Sequence, residues 1–136
     1  MSRNANVVWH GSGKEGDGII STQSGLLKDA KYSYRTRFEE APGTNPEELI
    51  AAAHASCFTM KLSFVLNEAG FTADEINTQC NITLASGAIT KSHLTVKAKV
   101  PGIDKAKFDE CAEDAKKNCP VSKLLNTDIS MEASLS

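Results

Sequence analysis

Four thiols, at Cys57, Cys80, Cys111 and Cys119, are the side chains of this 136-residue sequence best suited to nucleophilic or redox chemistry. No two of them form a CxxC pair, and four are too few for the cross-linked scaffold of a small secreted domain. In a reducing compartment a disulfide among them is transient, so each thiol is judged by its surroundings. Cys80 and Cys111 fall on apolar faces at strand and helix period, where a free cysteine packs as a small hydrophobe. Cys119 stands immediately before Pro120, at the cap of a new helical turn, where backbone N–H groups and the helix dipole favour a thiolate. Cys57 lies in a segment apolar on every side, and its period alone leaves both filler and nucleophile open.

His54 precedes Cys57 by three residues, which puts both side chains on one helix face. Three roles compete for it: a base for the thiol, a metal ligand with Cys57, and a structural histidine supporting a neighbour. Metal sites take three or four ligands, and His10 and His93 show no supporting spacing. A Cys/His hydrolase would want a nucleophile elbow or a papain-like context, and neither is present. The structural role is the expected one, with no metal and no cofactor. Glu47 and Glu48 both suit the first turn of a helix, but Glu48 has the better capping-box spacing from Asn45. Glu47 is left free to meet a cation. Arg37 is one candidate, its alternative being a solvated strand residue.

Elements must hold these residues in place. Short strands at Val7 to Trp9 and Ile19 to Thr22 are separated by glycine-containing turns, and Tyr32 to Phe38 reads as a third strand with Arg37 turned away from the aromatic face. Asn45 as cap and Pro46 in the first turn start a helix that should run to about Ala69, ended by Gly70. Between Leu49 and Leu66 its only full charge is Lys61. A helix apolar all round must be buried all round, and one of about 24 residues is about 36 Å long. A chain this small has little material to wrap it, so a partner subunit is expected. Ile76 to Leu84 and Leu94 to Val100 alternate as two strands joined by a hairpin at Ser86-Gly87. A helix follows from Asp104, with Phe108, Cys111, Ala112 and Ala115 as its apolar stripe, then the turn at Val121 to Leu125 and a last strand carrying Ile129, Met131, Ala133 and Leu135 on one face. The fold class is α+β: a mostly antiparallel sheet with one long, buried central helix.

Composition narrows the class of function. With 40% hydrophobic and 24% charged residues the chain is ordinary globular material, and its length suits a single domain over residues 1–136. Seventeen acidic against fifteen basic residues, a net charge of -2, and scattered lysines and arginines give no reason to expect nucleic acid. No run of about 20 uncharged apolar residues is present, so no membrane is expected. The opening residues carry no apolar signal region, which makes the cytoplasm the expected location.

Five strings carry a resemblance: Thr36-Arg37-Phe38-Glu39, GTNPEELIAAAHASCF from Gly43, EAGF from Glu68, VPGID from Val100 and NCPVSKLL from Asn118. They resemble the osmotically inducible protein C branch of the OsmC/Ohr family of thiol peroxidases over nearly the whole chain. The resemblance implies an intertwined α+β homodimer that reduces hydroperoxides, with Cys57 as peroxidatic cysteine, Cys119 as resolving cysteine, and Arg37 and Glu47 as the charged partners of the thiol. It implies a sulfenic acid at Cys57, a Cys57–Cys119 disulfide, an external thiol reductant, and a place in oxidative and osmotic stress defence. In that scheme Arg37 favours the thiolate at Cys57 and Glu47 fixes the guanidinium through a bidentate pair. Ten residues of straight helix separate Glu47 from Cys57 by about 15 Å, so either the helix is broken or Glu47 serves the other subunit's thiol. Two alternatives remain: a noncatalytic dimer binding a small ligand or metal through His54 and Cys57, and a Cys/His hydrolase. Neither would need Cys119.

Overall fold

The computed structural model describes residues 1–136, which divide into two units, Met1–Leu49 and Ile50–Ser136. The first unit is a three-stranded antiparallel meander of β1 (Ala5–His10), β2 (Asp17–Thr22) and β3 (Ala30–Ser33), followed by the short helix α1 (Tyr34–Phe38). The strand expected over Tyr32 to Phe38 therefore stops at Ser33. A reciprocal cap ends it: Ser33 Oγ accepts the Thr36 N–H and Thr36 Oγ1 accepts the Ser33 N–H. That pair satisfies two orphan donors of a helix start, and Tyr34 and Phe38 then meet as i,i+4 neighbours with ring centroids 4.8 Å apart. Local hydrogen bonding thus overrides the period-two pattern. Arg37 sits in the last turn of α1, not on a strand. The unit has little core of its own, since Ile20 is its only large apolar side chain that is buried.

Gly43 turns the chain toward α2 (Pro46–Glu68) with φ 135°, and a Cβ there would lie 2.4 Å from the Lys31 carbonyl oxygen. Asn45 caps the helix as expected, its Oδ1 accepting the Glu48 N–H at 2.8 Å. The capping box is only half formed, because the Glu48 carboxylate takes the Thr44 hydroxyl at 2.7 Å instead of reaching back to the Asn45 backbone. Helix α2 then runs without a break through 23 residues, the last 19 of them in the second unit.

The second unit packs α2 over a three-stranded sheet of β4 (Glu75–Ala85), β5 (Ala88–Lys99) and β6 (Asp128–Leu135), with β5 in the centre. Ser86 and Gly87 both have positive φ, 52° and 78°, the geometry of a two-residue type I′ turn, and close the antiparallel β4–β5 hairpin. β6 joins β5 in parallel, and the connection between them carries α3 (Lys105–Asn118) and α4 (Pro120–Leu124). Phe58, Leu62 and Leu66 of α2, Leu94, Val96 and Ala98 of β5, and Phe108, Ala112 and Ala115 of α3 form the core. The all-round burial expected of α2 is not met within the chain: Met60 and Phe64 are 64% and 59% exposed. The helix is long and apolar enough to cross a membrane by length and composition alone, yet its buried stripe packs into a protein core and includes a hydrogen-bonded histidine.

Candidate active site

Within the first unit, Arg37 Nε and Nη2 both donate to Glu47 Oε1, at 2.9 and 2.8 Å. This is the cation that Glu47 was expected to meet, but the pairing is not the two-oxygen fork. Both N–H groups converge on one oxygen, and Glu47 Oε2 is buried with no hydrogen-bond partner. The guanidinium also lies 5.3 Å from the centre of the Phe38 ring. Its position at the end of α1 follows from the Ser33–Thr36 cap, and that of Glu47 from the Asn45 cap of α2.

Within the second unit, Cys57 and Cys119 are brought close enough for each thiol to act on the other's ionisation. Cys57 is half-buried on α2 and lines a cleft of about 600 Å³ with Met60, Lys61, Phe64, Pro120 and Val121. Cys119 is fully buried at the N-cap of α4, where its sulfur accepts the Ser122 N–H at 3.4 Å and the Ser122 hydroxyl at 3.5 Å. Burial pushes the Cys57 thiol up, and Cys119 pushes it further; the Val121 N–H and the charge of Lys61 oppose this without reversing it. Burial acts upward on Cys119 too, but the hydrogen bonds from Ser122, Cys57 and Val121 outweigh it and leave this thiol below its ordinary value. The cap therefore favours the negative charge on Cys119, as its place before Pro120 predicts. Nothing in this unit lowers Cys57 as far.

His54 is fully buried and does not serve Cys57. Its Nδ1 lies 2.6 Å from Ser92 Oγ and its Nε2 2.8 Å from Ser122 Oγ, so both ring nitrogens are engaged. Burial holds its pKa below the ordinary value, which keeps the ring neutral. These contacts leave no ring lone pair open to a metal or to the Cys57 proton. Sequence reasoning did not single out Ser92 or Ser122. A signal for Ser92 was present, since stepping the apolar face of β5 back by two from Leu94 lands on it, and a serine fully buried on such a face needs a polar partner. Cys111 packs in the core, and Cys80 is half-buried with its sulfur 3.2 Å from Ser92 Oγ.

The profile of the OsmC-like proteins matches residues 39–134, and the chain belongs to that family. It is 48% identical over 139 aligned positions to the peroxiredoxin OsmC of Escherichia coli, covering 99% of this chain and 97% of that one. It is 31% identical to the organic hydroperoxide resistance protein OhrB of Bacillus subtilis, over 85% of this chain and 88% of that one. The crystal structure of OhrB superposes with a TM-score of 0.63 over 98% of both chains, at 26% identity. An OsmC-like protein of Mycoplasma pneumoniae shares the fold alone, with a TM-score of 0.77 at 11% identity over 99% of this chain and 97% of that one.

Proposed function

We propose that this protein is a cysteine-based peroxidase that reduces organic hydroperoxides in oxidative and osmotic stress defence, with residues 1–136 acting as one OsmC-like domain. The observation that carries this reading is the neighbouring pair of Cys57 and Cys119 beside the apolar cleft. The names of the relatives agree with it. A Cys57 thiolate attacks the terminal oxygen of the hydroperoxide: an S–O bond forms, the O–O bond breaks, and the alkoxide leaves and takes a proton to become an alcohol. Cys119 then displaces hydroxide from the Cys57 sulfenic acid to form the disulfide, and an external thiol reductant restores both thiols. The four free cysteines suit a reducing, cytoplasmic setting. No cofactor and no metal enters the scheme.

The active unit in this reading is a homodimer. Three observations support it: the exposed apolar side of α2 at Met60 and Phe64, the sparse core of the first unit, and the buried, unpartnered Glu47 Oε2. Since α2 is unbroken from Pro46 to Glu68, Glu47 and Cys57 are about 15 Å apart along it, which favours the Arg37–Glu47 pair of one chain serving Cys57 of the other. Mixing inactive Cys57→Ser chains with inactive Glu47→Ala chains under subunit exchange should restore one of the two sites of the mixed dimer. Strictly additive loss contradicts the sharing.

Substrate preference follows from the cleft. An apolar wall gains about 25 cal/mol for each Å² of alkyl surface it covers, so an alkyl or aryl group is worth roughly a kcal/mol or more that hydrogen peroxide cannot gain. Cumene hydroperoxide should therefore show a kcat/KM at least several-fold above that of hydrogen peroxide. Equal values would mean that the cleft does not hold the substrate.

A further inference from the structure

Behind Cys119 runs a line of buried side chains that peroxide chemistry leaves unused. Cys80 Sγ is 3.2 Å from Ser92 Oγ, Ser92 Oγ is 2.6 Å from His54 Nδ1, His54 Nε2 is 2.8 Å from Ser122 Oγ, and Ser122 Oγ is 3.5 Å from Cys119 Sγ. His54 and Ser92 are fully buried and Ser122 is 8% exposed, so the line is closed to solvent from Ser92 to Cys119, while Cys80 at its far end is half-buried. Its members come from β4, β5, α2 and α4.

The line has a direction. A neutral histidine carries one N–H and one lone pair, and a serine hydroxyl has one hydrogen to give. The Ser122 hydroxyl donates to the Cys119 sulfur. With that hydrogen committed, Ser122 Oγ can only accept from the ring, which places the proton on Nε2 and the lone pair on Nδ1. Ser92 must then donate to Nδ1, and its oxygen is left to accept from the Cys80 thiol. Burial pushes that thiol up, so it keeps the proton it has to donate. Every donor points toward Cys119.

We propose that His54 is a positioning residue for the resolving thiol: held in its Nε2–H form by Ser92, it fixes the Ser122 hydroxyl with its hydrogen on the Cys119 sulfur and so readies that sulfur for ring closure. The proposal rests on the peroxidase scheme above for the step it serves. In that step the Cys119 thiolate attacks the sulfur of the Cys57 sulfenic acid. The S–S bond forms, the S–O bond breaks, and hydroxide leaves with the bonding pair and takes a proton from solvent to become water. Cys119 is oxidised and the Cys57 sulfur is reduced. A thiolate held by hydrogen bonds loses less nucleophilicity than its lowered basicity costs, because nucleophilicity falls with pKa by only about half.

The titratable group acting on Cys119 is Cys57 on α2, and its remaining partners are Ser122 and Val121 of α4. Around His54 stand Cys80 from β4, Ser92 from β5 and Ser122 from α4. The test follows the four cysteine Cβ resonances of reduced, 13C-cysteine-labelled protein against pH. Ser122→Ala removes the terminal donor and should lower the thiolate fraction of Cys119 about tenfold at a given pH, the effect of losing one hydrogen bond to a charged group. Ser92→Ala touches neither Cys119 nor Ser122 and should move Cys119 in the same direction by several-fold, with Cys111 unmoved in both. His54→Gln keeps a donor and an acceptor and should stay closer to the wild type than His54→Leu. Cys119 titrating as in the wild type in Ser92→Ala and His54→Leu overturns the relay, since a merely structural histidine predicts that result. A single equivalent of cumene hydroperoxide separates the two readings. Slower disulfide formation in Ser92→Ala than in wild type supports the relay, and an unchanged rate overturns it. Absence of any disulfide in the wild-type chain overturns the peroxidase scheme and the role in ring closure with it, whatever the titrations show.

Discussion

Replacing Cys57 by serine is expected to remove thiol-dependent peroxide consumption down to the uncatalysed background. Among the four thiols, Cys57 is the one that lines the apolar cleft. Cys119 has the lower pKa but no exposed surface, Cys111 is packed in the core, and the Cys80 thiol is pushed up by burial. A thiol must be reachable to attack an O–O bond, and none of the other three lines the cleft. Serine at this position has too weak a nucleophile to substitute. The measurement is hydroperoxide loss under saturating thiol reductant, and full activity in the variant would end the proposed mechanism. Burial raises Cys57 while Lys61 only partly offsets it, so the proposed mechanism asks for a further cation. The proposed mechanism gives that task to the Arg37–Glu47 pair.

Replacing Cys119 by serine should give the opposite pattern, a normal first turnover followed by progressive loss of activity. The fold should tolerate the change, because serine is a preferred N-cap and can accept the Ser122 N–H that Cys119 accepts. Without its partner the Cys57 sulfenic acid is open to a second peroxide and climbs to the sulfinic acid, which ordinary thiols do not reduce. Intact-mass spectrometry should show a chain gaining two oxygens as peroxide is raised, where the wild type stops at the loss of two hydrogens. A variant that still stops at a disulfide would mean that Cys80 or Cys111 can resolve Cys57.

Local signals carried much of this structure in the sequence. The Asn45 cap with Pro46, the Asp104 cap of α3, the Ser86-Gly87 turn and the Cys119 cap of α4 each depend on residues within four positions of one another, and each is found where the sequence puts it. Tyr32 to Phe38 misled because its alternation is genuine, yet the Ser33–Thr36 hydrogen bonds decide the backbone. The sheet's one parallel pairing, β5 with β6, depends on a long crossover that periodicity does not encode. At the site, Glu47 and Arg37 were legible as a spare carboxylate and a candidate cation, but not the convergence of both N–H groups on one oxygen. Ser92 and Ser122 lie 38 and 68 residues from His54 and become its partners only when β5 and α4 close over α2. That is why the spacing allowed a structural role to be expected of His54 but could not name the serines behind Cys119 that its nitrogens face.

The central claim is that peroxide drives Cys57 and Cys119 into one bond, and a peptide mass map of the unreduced protein after one equivalent of cumene hydroperoxide tests it directly. The account predicts a single new species in which the Cys57 and Cys119 peptides are joined within one chain, with Cys80 and Cys111 still free thiols. Cys57 recovered unmodified, or joined to Cys80 or Cys111, would contradict it.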